Sequence, residues 1–389
     1  MLTQPSLLER EHSARLSQQI HDSIRSGVGW IGFDHFMEQA LYAPGLGYYA
    51  AGKNKIGDDG DFVTAPTLGS QFARCLANQF AEILEYLPAS STSTIVEFGA
   101  GTGQLMLDVL DALELQDSLP CRYLVIETSA DLQQRQQQAV NRHQPKYQEI
   151  IVWSEQLPEQ VSGIVFANEM LDAMPVKRFW IDSNGEAKEL GIRHENGNYE
   201  WHQTTEALGH KDQERLAAYG LPAGYRSEIA AQAEAWVRTI AEHLDKGVML
   251  LVDYGFPGRE FYHRDRVDGT VMCHYRHTAH PDPFFYPGLQ DITSHVDFTA
   301  IADAALESGL ELAGYCAQGS YLISLGLLDN HAGQFDPAQP TRESLSMAQE
   351  IKKLTLPHEM GELFKVVAFS RHYPMALSGF SMQNLAARL

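Results

Sequence analysis

The stretch TIVEFGAGTGQLMLDVL, residues 94–110, decides the fold of this chain because it joins a strand pattern to a helix pattern through three glycines. Residues 94–98 are β-branched and apolar apart from one glutamate, as in a strand buried within a parallel sheet. Apolar side chains then recur at helical spacing: Leu105, Val109 and Leu113. The glycines between them, Gly99, Gly101 and Gly103, are therefore predicted to form a tight strand-to-helix turn.

Strand and helix patterns alternate around this turn, which predicts a doubly wound α/β fold with a parallel sheet. The other strand candidates are RYLVIE (122–127), EIIVW (149–153), GIVFANE (163–169) and GVMLLVDY (247–254). We predict an N-terminal cap over residues 1–69 and a core over 70–389, with insertions at about 182–245 and 320–357. Two Asn-Gly signals and a helical pattern at 227–244 predict a β-ribbon and a helix in the first insertion.

The composition narrows the function. A net charge of −21 and a pI near 5.1 argue against nucleic-acid binding, which needs clustered Lys and Arg, but they suit a basic protein or peptide partner. Four scattered cysteines predict no disulfide framework. The chain offers neither a leader-like apolar core near its start nor a run long enough to cross a bilayer, so we expect a cytoplasmic protein without membrane insertion. These patterns leave the oligomeric state open.

The chemistry of the glycine turn indicates S-adenosylmethionine as the cofactor. The pattern is GxGxG, whereas a dinucleotide-binding turn has GxGxxG, and Glu97 precedes the first glycine. A carboxylate there would repel a pyrophosphate but can hold the amino group of a methionine moiety. Glu127 ends the next strand, where a carboxylate can accept both ribose hydroxyls. The alternative is that the glycines serve turn geometry alone. The predicted cofactor-binding set from this region is Glu97, Gly99, Ala100, Gly101, Gly103 and Glu127.

Polar side chains follow the fourth core strand in the segment ANEMLDAMPV. Asn168 is predicted to reach the cofactor, and Glu169 and Asp172 are the predicted catalytic residues. Two carboxylates three residues apart can share one side of a turn and orient an arginine guanidinium. The alternative for each residue is helix capping, in which Asp172 or Asn168 satisfies backbone amides.

Several motifs, in order along the chain, resemble those of the MidA family, which includes the mitochondrial complex I assembly methyltransferase and its bacterial relatives. These motifs are LYAPGLGYY, GDFVTAP, VEFGAGTG, IETSADLQQRQ, NEMLDAMPV, LLVDYG, PGLQDITSHVDF and GELFKVV. The resemblance implies a class I methyltransferase with a Rossmann-like mixed sheet, an N-terminal helical cap and insertions, directed at protein arginine. It also implies that Thr64 closes over the cofactor with its neighbours. Thr67 stands where the family often has an acidic residue, so no role is carried over to that side chain.

Three other functions compete with arginine methylation. The acceptor could be a small molecule, the chain could be an assembly factor that keeps the fold without catalysis, or it could be an NAD-linked oxidoreductase, which GxGxG and Glu97 oppose. The segment CHYRHTAH (273–280) lacks a second cluster with metal-site spacing, so we predict no metal. For His295 and Asp297, helix capping and substrate contact are both open.

Overall fold

The computed structural model describes residues 2–51, 69–87, 93–329 and 341–389. Its helices, in chain order, are α1 (Leu7–Ser26), α2 (Phe33–Tyr42), α3 (Gln71–Tyr86), α4 (Gln104–Glu114), α5 (Ala130–His143), α6 (His210–Ala217), α7 (Ala231–His243), α8 (Gly258–Phe261), α9 (Phe298–Glu307), α10 (Gln318–Ser324), α11 (Arg342–Thr355) and α12 (Met360–Leu363). Within the described residues, no helix is long and apolar enough to span a bilayer.

The strands lie between these helices. They are β1 (Ile31–Gly32), β2 (Thr94–Phe98), β3 (Arg122–Ile126), β4 (Ile151–Ser154), β5 (Val161–Asn168), β6 (Lys177–Ile181), β7 (Ala187–Glu195), β8 (Asn198–Ala207), β9 (Arg226–Ile229), β10 (Leu244–Phe256), β11 (Met272–Tyr275), β12 (Thr278–His280), β13 (Asp291–Thr293), β14 (Val296–Asp297), β15 (Glu311–Ala317) and β16 (Phe364–Arg371).

The chain divides into two compact units. The first contains the described residues within Met1–Phe62, Asp172–Ala235 and Phe256–Ala300, and the second those within Val63–Leu171, Trp236–Gly255 and Ile301–Leu389. The first unit thus combines residues of the predicted cap with two segments of the predicted core. The boundary between the cap and the core, placed between residues 69 and 70, remains a prediction.

The second unit is built on a mixed sheet with the strand order β15-β16-β10-β5-β2-β3-β4. Strands β10, β5, β2, β3 and β4 run parallel, whereas β16 runs antiparallel to β10 and to β15. Every residue of β2 is buried, because helices cover both faces of a doubly wound sheet. The carboxyl ends of β2, β3 and β5 therefore lie side by side at one edge, where such sheets bind ligands.

The first unit holds two antiparallel sheets. One has the order β1-β7-β6-β9, with β8 paired to β7, and the other has the order β12-β11-β13. Helices α1 and α2 contribute apolar side chains to a buried cluster with β7 and β13, in which Leu16, Phe36 and Ile292 are fully buried. The predicted β-ribbon is present as β6 to β8. The predicted helix at 227–244 was too long, because residues Arg226–Ile229 pair with β6 as β9 before α7 begins.

Candidate active site

The glycine turn follows β2 as predicted. Gly99, Gly101 and Gly103 have φ angles of +70°, +53° and +81°, in the left-handed region that favours glycine. Gly103 also precedes the first residue of α4, and its N–H donates to the carbonyl of Ala100 at 2.8 Å. A Cβ on Gly99 would lie 3.4 Å from Cγ of Met170, so this part of the turn leaves little room for a side chain.

Glu127 lies directly after β3, and its carboxylate is held by two donors. Oε1 accepts from the backbone N–H of Ser129 at 2.8 Å, and Oε2 accepts from Nε2 of Gln136 at 3.3 Å. Burial raises the pKa of this carboxyl, while both hydrogen bonds favour its ionised form. The carboxylate is therefore fixed in place at the ligand-binding edge of the sheet.

Gln136, which the sequence patterns did not single out, contacts both Glu127 and the glycine turn. Its Nε2 also donates to the carbonyl of Gly101 at 2.9 Å, and its Oε1 accepts from Nε1 of Trp153 at 2.9 Å. The sequence did hold a signal for Gln136: this polar residue lies one helical turn before Val140, on the face of α5 that is buried. Gln136 links the glycine turn to Glu127.

Glu97 lies within β2 rather than in the turn. It is only 2% exposed, and its Oε2 accepts from the hydroxyl of Tyr123 at 2.9 Å. Burial raises the pKa of Glu97 to about 7, against the lowering effect of the Tyr123 hydrogen bond. A cationic group beside this carboxyl would favour its ionised form. The predicted contact with an amino group remains a prediction.

Asn168 and Glu169 stand at the carboxyl end of β5. Glu169 has a φ of +51°, which is rare for a residue with a side chain, and its N–H donates to the carbonyl of Val252 at 2.9 Å. Nδ2 of Asn168 donates to Oε1 of Glu169 at 3.1 Å. Oδ1 of Asn168 is buried and has no hydrogen-bond partner among the described residues. Strained backbone of this kind clusters at functional sites.

Asp253 on β10 holds the turn that follows Glu169, and it too was missed. Its Oδ2 accepts from the N–H groups of Met170 and Leu171 at 3.2 and 2.9 Å, and Oδ1 accepts from the N–H of Tyr254 at 2.9 Å. The residue is 1% exposed. The aspartate in LLVDYG was visible in the sequence, but nothing local linked it to the end of β5.

Two predicted residues remain, Asp172 and Thr64. Asp172 belongs to the first unit, where it is buried and its carbonyl accepts from the N–H of Ser294 at 2.9 Å. Thr64 lies outside the described residues. The hydroxyl of Tyr49 donates to Oδ2 of Asp291 at 2.9 Å. The catalytic role of Asp172 remains a prediction.

Helix capping and substrate contact were both open for Asp297, and its contacts are those of a helix cap. Its Oδ1 accepts from the N–H groups of Thr299 and Ala300 at the start of α9. The segment 273–280 forms the hairpin of β11 and β12, in which Cys273 pairs with His280. The parts of the chain that the structure describes contain no group of three or more His, Cys, Asp or Glu side chains placed to hold a metal ion. All four cysteines are free.

A glycine turn after β2 with a fixed carboxylate after β3 defines a Rossmann-like protein that binds a nucleoside cofactor. Residues 75–316 match the family model Methyltransf_28, described as "Putative S-adenosyl-L-methionine-dependent methyltransferase". The chain belongs to this family. It is an S-adenosyl-L-methionine-dependent methyltransferase, its cofactor is S-adenosyl-L-methionine, and the resemblance to the MidA family is confirmed.

Solved structures and curated relatives agree with this family. A structure from Burkholderia thailandensis bound to S-adenosyl-homocysteine is 38% identical, with a TM-score of 0.92 and full coverage of both chains. The mitochondrial protein arginine methyltransferase NDUFAF7 homolog of Drosophila melanogaster is 27% identical, covering 91% of this chain and 84% of its own length. The Danio rerio protein arginine methyltransferase NDUFAF7 is 28% identical, covering 87% of this chain and 83% of its own length.

Proposed function

We propose that this protein transfers a methyl group to a guanidinium nitrogen of a protein arginine. The observation that carries the proposal is the carboxylate of Glu169, held at the end of β5 by a left-handed backbone and by the amide of Asn168. Arginine stays protonated in water and presents a planar fork of donors, so a fixed carboxylate suits it as an acceptor. Two relatives named as protein arginine methyltransferases, from Drosophila melanogaster and Danio rerio, support the same acceptor.

The cofactor residues proposed here fit the known cofactor. The backbone of the turn, Gly99, Ala100, Gly101 and Gly103, allows close approach of a nucleoside because the glycine positions carry no side chain. Glu127 accepts the ribose hydroxyls, since its carboxylate is already oriented by two donors. Glu97 and Asn168 complete the set, and Thr64 is proposed from the family resemblance alone.

The reaction needs orientation and one proton acceptor: an arginine guanidinium is protonated before transfer and its methylated product keeps the same charge, so one proton leaves the acceptor nitrogen, and the Glu169 carboxylate can accept it. When bound, the cofactor supplies an activated methyl group on a sulfonium. Glu169 accepts hydrogen bonds from the guanidinium and fixes the direction in which the acceptor nitrogen points. Asn168 holds the Glu169 carboxylate through Nδ2 at 3.1 Å, and its buried Oδ1 is available to a donor on a ligand. Asp172 is proposed as a second carboxylate for the acceptor on its sequence position.

The test begins with the acceptor. The purified protein and methyl-labelled S-adenosylmethionine are added to a cell lysate, and labelled products are identified by mass spectrometry. We expect label on arginine in proteins. Label confined to small molecules, or to another residue type in proteins, would show that the acceptor is different.

The identified acceptor then allows a test of the carboxylates by single-turnover kinetics. Glu169→Gln should slow transfer by roughly ten- to a hundredfold while affinity for S-adenosyl-homocysteine is kept, because a charged hydrogen bond in the transition state is lost. Glu85→Gln, at an exposed position on α3, is the matched control and should transfer at the wild-type rate. Asp172→Asn is measured separately. A lower melting temperature with unchanged transfer would assign Asp172 a structural role only.

A further inference from the structure

Gln136 is fully buried on α5, and its side chain reaches the ends of three neighbouring strands. It donates to the turn after β2 at Gly101 and to Glu127 after β3, and it accepts from Trp153 on β4. A glutamine amide has two N–H donors and one carbonyl, and here both ends are engaged. The polar end of this side chain is therefore fixed in one orientation by Trp153.

We infer that Gln136 is a positioning residue for cofactor binding, acting through the carboxylate of Glu127 and the carbonyl of Gly101. The inference rests on the proposed role of Glu127 toward the ribose. Without the Gln136 donor on Oε2, the carboxylate would be held by backbone N–H groups of Ser129 and Thr128 alone and could rotate away from the ribose hydroxyls. The bond to Gly101 ties the glycine turn to the same amide, so the turn and the carboxylate keep one relative placement.

The geometry explains why glutamine suits this position. A leucine or methionine would fill the same volume but leave the Gly101 carbonyl and the Trp153 indole without their partner. A glutamate would still accept from Trp153, but it would place a second carboxylate 3.3 Å from Oε2 of Glu127. The glutamine amide supplies a donor to Glu127 and an acceptor to Trp153 together.

The experiment measures binding by calorimetry, independently of any methyl acceptor. Two ligands are compared: S-adenosyl-homocysteine and its analogue without the ribose 2′-hydroxyl. The proteins are the wild type, Gln136→Met, Gln136→Glu, Glu127→Gln and the control Gln137→Met, which changes an exposed glutamine of the same helix. Gln136→Glu keeps the test decisive where the methionine variant does not fold, because it retains the acceptor for Trp153.

We expect both Gln136 variants to bind S-adenosyl-homocysteine roughly ten- to a hundredfold more weakly than the wild type. Their preference for the ligand with the 2′-hydroxyl should also shrink toward that of Glu127→Gln, while Gln137→Met keeps wild-type affinity and preference. The indole N–H resonance of Trp153 should move in Gln136→Met, which reports the lost hydrogen bond directly.

Three results would overturn the inference. Equal weakening for both ligands in the Gln136 variants would indicate a general structural role, and unchanged affinity would show that the amide is not needed. In either case, weaker binding by Glu127→Gln would leave the proposed ribose contact intact. Unchanged affinity and preference in Glu127→Gln would instead overturn the role of Glu127 and the inference with it.

Discussion

Glu97 is a charged residue at a position that its neighbours in β2 fill with apolar side chains. It has one hydrogen-bond donor in Tyr123, and burial raises the pKa of its carboxyl to about 7 from an ordinary value of 4.5. An ionised carboxylate here destabilises the protein when no cation lies beside it. A buried acid with a raised pKa beside the glycine turn is typical of a functional group.

Glu97→Gln tests this reading through the pH dependence of stability. The folded protein binds the carboxyl proton more tightly than the unfolded chain, so wild-type stability falls as pH rises from about 4.5 to about 7 and this loss is complete above that range. The glutamine variant lacks this loss. Its stability relative to the wild type should rise across the same window by about 3 kcal/mol, measured by urea unfolding of cofactor-free protein.

The control for that measurement is Glu85→Gln, at an exposed position on α3, which reports the effect of the amide substitution itself. A relative stability of Glu97→Gln that stays flat between pH 4.5 and 7 would contradict the raised pKa. Added S-adenosylmethionine should narrow the difference above pH 7 if its amino group lies beside Glu97, because a neighbouring cation favours the carboxylate.

At the scale of elements, the pattern of the chain predicted the parallel strands and the turn between β2 and α4. Buried parallel strands appear in the sequence as continuous apolar runs, and left-handed turn positions appear as glycines. Both features can therefore be recognised from a few neighbouring residues. Gln136 and Asp253 escaped prediction for the opposite reason. Their partners lie 35 residues away at Gly101 and 83 residues away at Met170, so only the folded sheet brings them together.

Asp253 on β10 holds the turn that follows β5, so Asp253→Asn is expected to affect catalysis. The aspartate carboxylate has two acceptor oxygens, which accept from three backbone N–H groups. The asparagine amide has only one acceptor oxygen for the same three donors. We expect the free energy of unfolding to fall by about 1 to 3 kcal/mol. Methyl transfer should fall more steeply than affinity for S-adenosyl-homocysteine, because the turn that carries Glu169 loosens.

Asp245→Asn is the matched control, since Asp245 is exposed at the opposite end of the same strand. It should leave both stability and transfer close to wild type. Wild-type transfer by Asp253→Asn, with a lowered melting temperature, would mean that Asp253 supports the fold alone and that the turn after β5 tolerates movement.

For the whole molecule, the excess of 50 acidic over 29 basic residues bears on the acceptor rather than on the fold. A net charge of −21 attracts a basic peptide over distances longer than any contact and repels nucleic acid. This attraction acts on the encounter with the acceptor more than on the chemical step, because it is present before the acceptor reaches the proposed site at Glu169.

Varying the salt concentration can therefore distinguish the effect of the net charge on acceptor binding from the effect of the site residues on methyl transfer. With an arginine-containing basic peptide as acceptor, raising ionic strength from about 0.05 M to about 0.3 M should raise the KM for the peptide several-fold, because the Debye length shrinks from over 10 Å to below 8 Å. The kcat should change little, since the proposed orientation by Glu169 would act at contact distance. A peptide with the same arginine and acidic flanking residues is the control, and its KM should stay level or fall with salt. If the two peptides respond alike, the negative charge of this protein has no part in choosing its acceptor.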